Sequence, residues 1–129
     1  MTLNDPIADA LSKINNATKA LYKEVELKKS KFLVNILTVL KENGYVGSFE
    51  EIEDGKSGKV KVHLVGTINK CSVVKPRYAV KVEELEQYEQ RFLPAKGFGV
   101  IILSTSKGLL TQNQAKEHNV GGQIVAYCY

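Results

Sequence analysis

The chain has 129 residues, 43% of them hydrophobic, which is enough to bury one core or two small ones and excludes overall disorder. No stretch reaches the run of about 18 apolar residues that a membrane span needs. The start, MTLNDPIADALSK, has neither a cationic leader nor a cleavable apolar core, and the net charge of +4 is modest, so a cytoplasmic protein with no membrane partner is expected.

Asp5 before Pro6 is a helix start, an N-cap oxygen followed by a residue with helical φ. Ile7, Leu11, Ile14 and Ala17 or Thr18 then recur at the helical interval, leaving Lys13, Asn15 and Asn16 off the apolar stripe or at its margin. KEVELK alternates through Val25 and Leu27 and predicts a half-buried strand. Ser30 caps a second helix with a stripe of Phe32, Leu33, Ile36, Leu37 and Leu40, and Gly44 ends it. Tyr45 to Ile52 and Val60 to Leu64 read as two strands joined by a turn at Asp54-Gly55-Lys56-Ser57-Gly58. The first part is thus α-β-α-β-β, two helices on a small antiparallel sheet.

The pattern loosens from Gly66 to Ser72, which places a domain boundary there: an N-terminal domain over 1–66 and a mostly β domain over 67–129. The fold class expected is α+β. In the second domain Val73 to Val82 is extended, with Pro76 restricting it to an edge or irregular strand. Glu83 to Phe92 predicts a short acidic helix, and Phe98 to Leu103 a strong strand. Thr111 is placed to cap a short helix through His118, and Gly121-Gly122 leads into a last strand from Gln123 to Tyr129.

Few motifs here carry catalytic chemistry. Gly55-Lys56-Ser57 ends like a phosphate-binding loop but lacks its first glycine, since Glu50 stands there, and it joins two hairpin strands. His63 and His118 have no Cys, Asp or Glu at ligand spacing, so no metal and no cofactor are expected. Cys71 and Cys128 lack CxxC spacing and read as small buried hydrophobes.

The charges do carry information. No acid occurs from Gly55 to Val82, where Lys56, Lys59, Lys61, Lys70, Lys75, Arg77 and Lys81 fall, nor from Phe92 to Lys116, which holds Lys96, Lys107 and Lys116. Segregation of this kind suits a polyanionic partner. Val100-Ile101-Ile102-Leu103 breaks into Ser104-Thr105-Ser106-Lys107-Gly108, which reads as a loop crowded with donors for phosphate and ribose oxygens. Gly108 there would let backbone approach backbone closely.

Taken together, DPIADALSKINNA, Ser30-Lys31, ENGYVGSFEEIEDGKSG, INKCSVVKPRYAV, GFGVIILSTSKGLLT and GGQIVAYCY span essentially the whole chain. In that order they resemble the family of small-subunit ribosomal protein number eight, its archaeal and eukaryotic branch more than the bacterial one. The resemblance implies a structural constituent of the small ribosomal subunit that binds the central domain of its RNA and helps assemble the platform. It also implies neighbouring small-subunit ribosomal proteins as partners and the C-terminal domain as the RNA-binding one. By position, Ser104, Thr105, Ser106, Lys107 and Gly108 would form the main RNA contact. Gly121, Gly122 and Gln123 would line the adjoining surface, with Gln123 standing where bacterial members commonly have glutamate. Asn15, Asn16 and Lys31 would meet neighbouring RNA backbone. The alternative is a small cytosolic enzyme or binding protein using the Ser104–Gly108 loop as an anion pocket, for which no general base is evident.

Overall fold

The computed structural model describes residues 6–53, 55, 58–74, 79–94 and 98–129. The expected cap at Asp5, the turn residues Asp54, Lys56 and Ser57, the segment Lys75–Tyr78 with Pro76 and Arg77, and Lys96 lie outside the described residues. The chain divides into two compact units, Met1–Cys71 and Ser72–Tyr129.

The first unit runs α1 (Pro6–Lys19), β1 (Glu24–Lys28), α2 (Lys31–Glu42), β2 (Val46–Ile52) and β3 (Lys59–Leu64), with its antiparallel strands in the order β1-β3-β2. Helix α1 packs on β1 and α2 on β2. Most of the stripes read from periodicity are buried: Ile7, Leu11, Ile14 and Ala17 on α1, and Leu33, Ile36, Leu37 and Leu40 on α2. On α2, Phe32 is only half-buried, and Val39, not read as part of the stripe, is buried instead. Each such aliphatic side chain contributes about 1.5–3 kcal/mol relative to an exposed one. Alternation along the strands sorts the sheet into two faces. Val25 pairs with Val62 and Leu27 with Val60 on the inner face. Glu24 pairs with His63 and Glu26 with Lys61 on the outer one, where Lys61 reaches Glu24 at 3.2 Å. One extra residue in β2, between Val46 and Phe49, makes a bulge at Gly47-Ser48.

Both helices of this unit end in the same device with different residues. At α2, Gly44 takes φ +80°, while Tyr45 N–H donates to the Leu40 carbonyl at 2.9 Å and Gly44 N–H to Lys41 at 3.1 Å. This is the Schellman arrangement, and glycine is its natural occupant. At α1 the equivalent position is Leu21, at φ +63°, with Tyr22 N–H donating to Ala17 at 2.9 Å and Leu21 N–H to Thr18 at 3.1 Å. A leucine held left-handed costs about 1–2 kcal/mol, and its side chain is 87% exposed, so no burial offsets that cost. Leu21→Gly should therefore stabilise the chain by about 0.5–1 kcal/mol after glycine's greater unfolded-state entropy is counted. Urea unfolding at constant m-value measures it; a lower midpoint would refute the strain.

Strand β4 (Cys71–Val73) starts on the last residue of the first unit, and the second unit continues through β5 (Ala79–Val80), one turn of 3-10 helix (Val82–Glu84), α3 (Leu85–Phe92), β6 (Val100–Thr105), β7 (Gly108–Thr111), α4 (Gln112–His118) and β8 (Gly122–Cys128). Its five-stranded sheet has the order β4-β8-β6-β7, with β5 also paired to β8. Val74, Val80, Leu85, Leu93, Ile101, Leu103, Ala115 and Ile124 form the core, and Tyr88, Phe92, Tyr127 and Tyr129 stack in series along its margin. Thr111 caps α4 as expected: it accepts from Gln114 N–H at 3.3 Å, and Gln114 Oε1 accepts from Thr111 N–H at 3.1 Å. Gln112, buried beside it, accepts from Ile101 N–H at 2.8 Å and donates to the Gly99 carbonyl at 3.2 Å, fixing the start of β6.

Two expectations change. The strand read from Phe98 to Leu103 instead runs from Val100 through Thr105, because Ser104 pairs with both Gln123 and Leu109. A hairpin partner, β7, follows at once where a continuing loop was read. In addition, Lys116, counted with the basic stretch, has its Nζ 2.6 Å from Oε1 of Glu89, a carboxylate only 8% exposed. Lys116→Met should leave that carboxylate buried and unpaired, lowering stability by about 1–3 kcal/mol. Glu89→Gln in the same chain should recover most of the loss in thermal unfolding, which a purely steric effect of the methionine would not allow.

Candidate nucleic-acid interface

Strands β6 and β7 meet in a two-residue turn, Ser106-Lys107, with Thr105 opposite Gly108. Thr105 builds this turn. Its hydroxyl donates to the Gly108 carbonyl at 2.8 Å and accepts from Lys107 N–H at 3.1 Å. A hydroxyl has one proton and two lone pairs, so Thr105 keeps only one accepting site for anything outside. Gly108 takes φ +101°, and a Cβ there would meet nothing within 4 Å. The glycine is thus required for its backbone angle, and its side-chain side is left open.

The two serines differ from Thr105. Ser104 is half-buried at the end of β6 and Ser106 is exposed in the turn. Among the described residues neither hydroxyl is bonded within the chain. Lys107 is exposed beside them. The hydroxyl-rich segment thus separates into one residue that shapes the turn and two whose hydroxyls are left unbonded among the described residues.

Residues 121–123 come to the same place through the sheet. Ala79, Gln123, Ser104 and Leu109 lie on one line across β5, β8, β6 and β7, so the exposed Gln123 neighbours Ser104 on one face. Gly122 and Gly121 serve the fit between strands. A Cβ on Gly122 would stand 2.4 Å from the Ser104 carbonyl oxygen and 2.9 Å from Thr105 Cγ2, and one on Gly121 2.4 Å from the Val80 carbonyl oxygen. Gly122 therefore lets β8 lie close enough to β6 to hold the base of the β6–β7 hairpin, while Gly121 lets the chain entering β8 lie against the end of β5. Ser104 to Gly108 and Gly121 to Gln123 form one contiguous surface at one end of this sheet.

The three remaining candidates belong to the first unit. Lys31 is exposed at the start of α2, where the preceding Ser30 accepts from Leu33 N–H at 3.1 Å. Asn16 is exposed. Asn15 is half-buried, and its amide clamps the backbone of Cys71 from both sides: Cys71 N–H donates to Oδ1 at 2.8 Å while Nδ2 donates to the Cys71 carbonyl. Sequence reasoning missed that clamp, whose partner is 56 residues away, and no local signal marks it.

Other chemistry has little footing. Cys71 and Cys128 are both buried and not joined in a disulfide. His63, which has no carboxylate at ligand spacing in the sequence, is brought by strand register between Glu24 and Glu50, at 3.5 and 3.4 Å. Even so, no group of His, Cys, Asp and Glu among the described residues can hold a metal ion. No helix there is long and apolar enough to cross a membrane.

Comparison with known proteins covers the full length. The sequence profile of the family described as ribosomal protein S8 matches residues 5–129. A curated relative, small ribosomal subunit protein uS8 of Methanococcoides burtonii, is 50% identical over 130 residues, covering 100% of this chain and 100% of the relative.

Proposed function

The chain belongs to the ribosomal protein S8 family, and from that premise we propose that its β6–β7 hairpin grips the central domain of small-subunit ribosomal RNA and helps assemble the platform. It is a ribosomal protein of the small subunit, located there in the cytoplasm, and structural, which removes the enzyme alternative. Its partners are small-subunit RNA and ribosomal proteins.

One observation carries the finer reading. Ser106, exposed on a turn that Thr105 has already stiffened, and Ser104, at the strand end beside Gln123, leave their hydroxyls unbonded among the described residues, next to Lys107. An RNA duplex hides its base edges in a deep major groove and displays 2′-hydroxyls in a shallow minor groove. A small rigid turn with short donors fits that groove and loses little side-chain entropy on contact. Lys107 supplies a phosphate contact, and Gly108, open on its side-chain side, leaves room for a sugar-phosphate strand. Gly121 and Gly122 hold the surface level, while Asn16 and Lys31 meet RNA backbone from the first unit. Asn15, its amide engaged with Cys71, acts there by positioning.

Titration of a central-domain RNA fragment against salt tests this. Log affinity should fall linearly with log salt, with a slope of about −0.7 to −0.9 for each phosphate neutralised. A flat response, or equal affinity for an unrelated RNA of the same length, would overturn the reading.

A further inference from the structure

The corner that follows α1 holds features the hairpin does not explain. Leu21 and Tyr22 are 87% and 66% exposed, and Leu21 sits left-handed where the equivalent position after α2 is glycine. Strain kept at a solvent-facing apolar residue is a sign that the side chain serves something outside the fold. Leu64 N–H donates to the Lys23 carbonyl at 2.8 Å, bringing Val65, 53% exposed, close to the same corner. Lys19 and Lys23 flank the pair; both are exposed, and among the described residues neither forms an ion pair.

We propose that this corner is a second RNA contact, lying in the first unit, that takes one unpaired nucleotide onto the Tyr22 ring. The inference rests on the reading that the chain works on small-subunit RNA. The neighbourhood of the ring chooses the partner. Lysine is depleted at the centres of protein–protein interfaces, whereas an exposed ring flanked in sequence by two lysines without ion pairs among the described residues suits a base with phosphates beside it. Stacking tolerates any base, since each has a π face. Leu21 and Val65, apolar and exposed at the same corner, would shield the stacked base from water. The Schellman hydrogen bonds from Leu21 and Tyr22 fix the backbone beneath them, so the ring is presented with little freedom to lose.

The test uses the full chain and a full-length transcript of small-subunit RNA. Leu21→Gly with Tyr22→Ala removes both side chains while relieving the backbone, so the variant should fold at least as well as the parent. Its affinity should drop about tenfold, the scale of one stacked base. Tyr22→Phe should restore most of that relative to Tyr22→Ala, and ultraviolet crosslinking should join RNA to the peptide containing Tyr22. Lys19→Ala and Lys23→Ala should each shallow the salt slope by about 0.7–0.9. Parental affinity in the double variant, with no crosslink at Tyr22, overturns the proposal. So does a variant that binds RNA normally but fails to join a subunit reconstituted with its other proteins, because a protein then covers the corner. Ser106→Ala, run in parallel, separates the two readings: if it weakens binding while the corner variant does not, only the corner is wrong.

Discussion

Gly122→Ala should destabilise the chain by about 3 kcal/mol or more, because the added carbon has nowhere to go. It would lie 2.4 Å from the Ser104 carbonyl oxygen and 2.9 Å from Thr105 Cγ2. The first is backbone within a sheet that pairs Ser104 with Gln123, so relief means parting β6 from β8. Overpacking of a flexible side chain typically costs about 1–3 kcal/mol, and a rigid strand stands at or above the top of that range. Thermal unfolding should show the midpoint falling by several degrees for each kcal/mol. Gly108→Ala is the control: it meets no atom within 4 Å, and its cost is the left-handed φ alone, about 1–2 kcal/mol. RNA affinity of Gly122→Ala should fall too, since the shift moves the residues next to the turn. A midpoint equal to the parent's would show that the strands part easily and that the hairpin is not held as described.

Ser106→Ala should weaken binding to the central-domain fragment by about 1–3 kcal/mol, roughly fivefold to over a hundredfold, with folding stability unchanged. The hydroxyl is exposed and bonds nothing among the described residues, so its removal costs nothing until RNA is present. Thr105→Val should behave differently. It keeps the shape but deletes the hydrogen bonds to Gly108 and Lys107, so stability falls by about 1 kcal/mol and affinity follows as the turn loosens. Lys107→Ala should leave stability alone and reduce the salt slope by about 0.7–0.9. Isothermal titration at two salt concentrations distinguishes all three. If Ser106→Ala binds like the parent, the hairpin tip is not the contact, although the family stands.

Much of the fold is legible in the sequence because local signals agree with tertiary need. The α1 and α2 stripes, the Ser30 and Thr111 caps and the Gly44 stop each have a short-range cause, and the structure carries all of them. What escapes has its cause elsewhere in the chain. Strand β7 is only four residues and begins with glycine, so neither periodicity nor propensity marks it. Ser104 and Thr105 look like loop residues because they are polar, yet sheet pairing extends β6 through both. The Lys116–Glu89 pair joins residues 27 apart, and the charge count alone assigned that lysine to the outside. The sequence offers Ser104 to Gly108 and Gly121 to Gln123 as separate candidates, and their neighbourhood in one sheet needed strand register. The division between Thr105, which shapes the turn, and the two serines, which bond nothing among the described residues, needed hydrogen-bond geometry.

The margins of the two sheets bear on how this chain fares before it meets RNA. In the first unit the outer strands are β1, with Glu24, Glu26 and Lys28 on its solvent side, and β2, interrupted at Gly47-Ser48. In the second they are β4, β5 and β7, of three, two and four residues. Charge, interruption and brevity are the means by which soluble proteins prevent strands of separate molecules from joining. The edges among the described residues are thus poor templates for fibre growth, and a surplus of the protein should stay dispersed in dilute salt until its polyanion arrives.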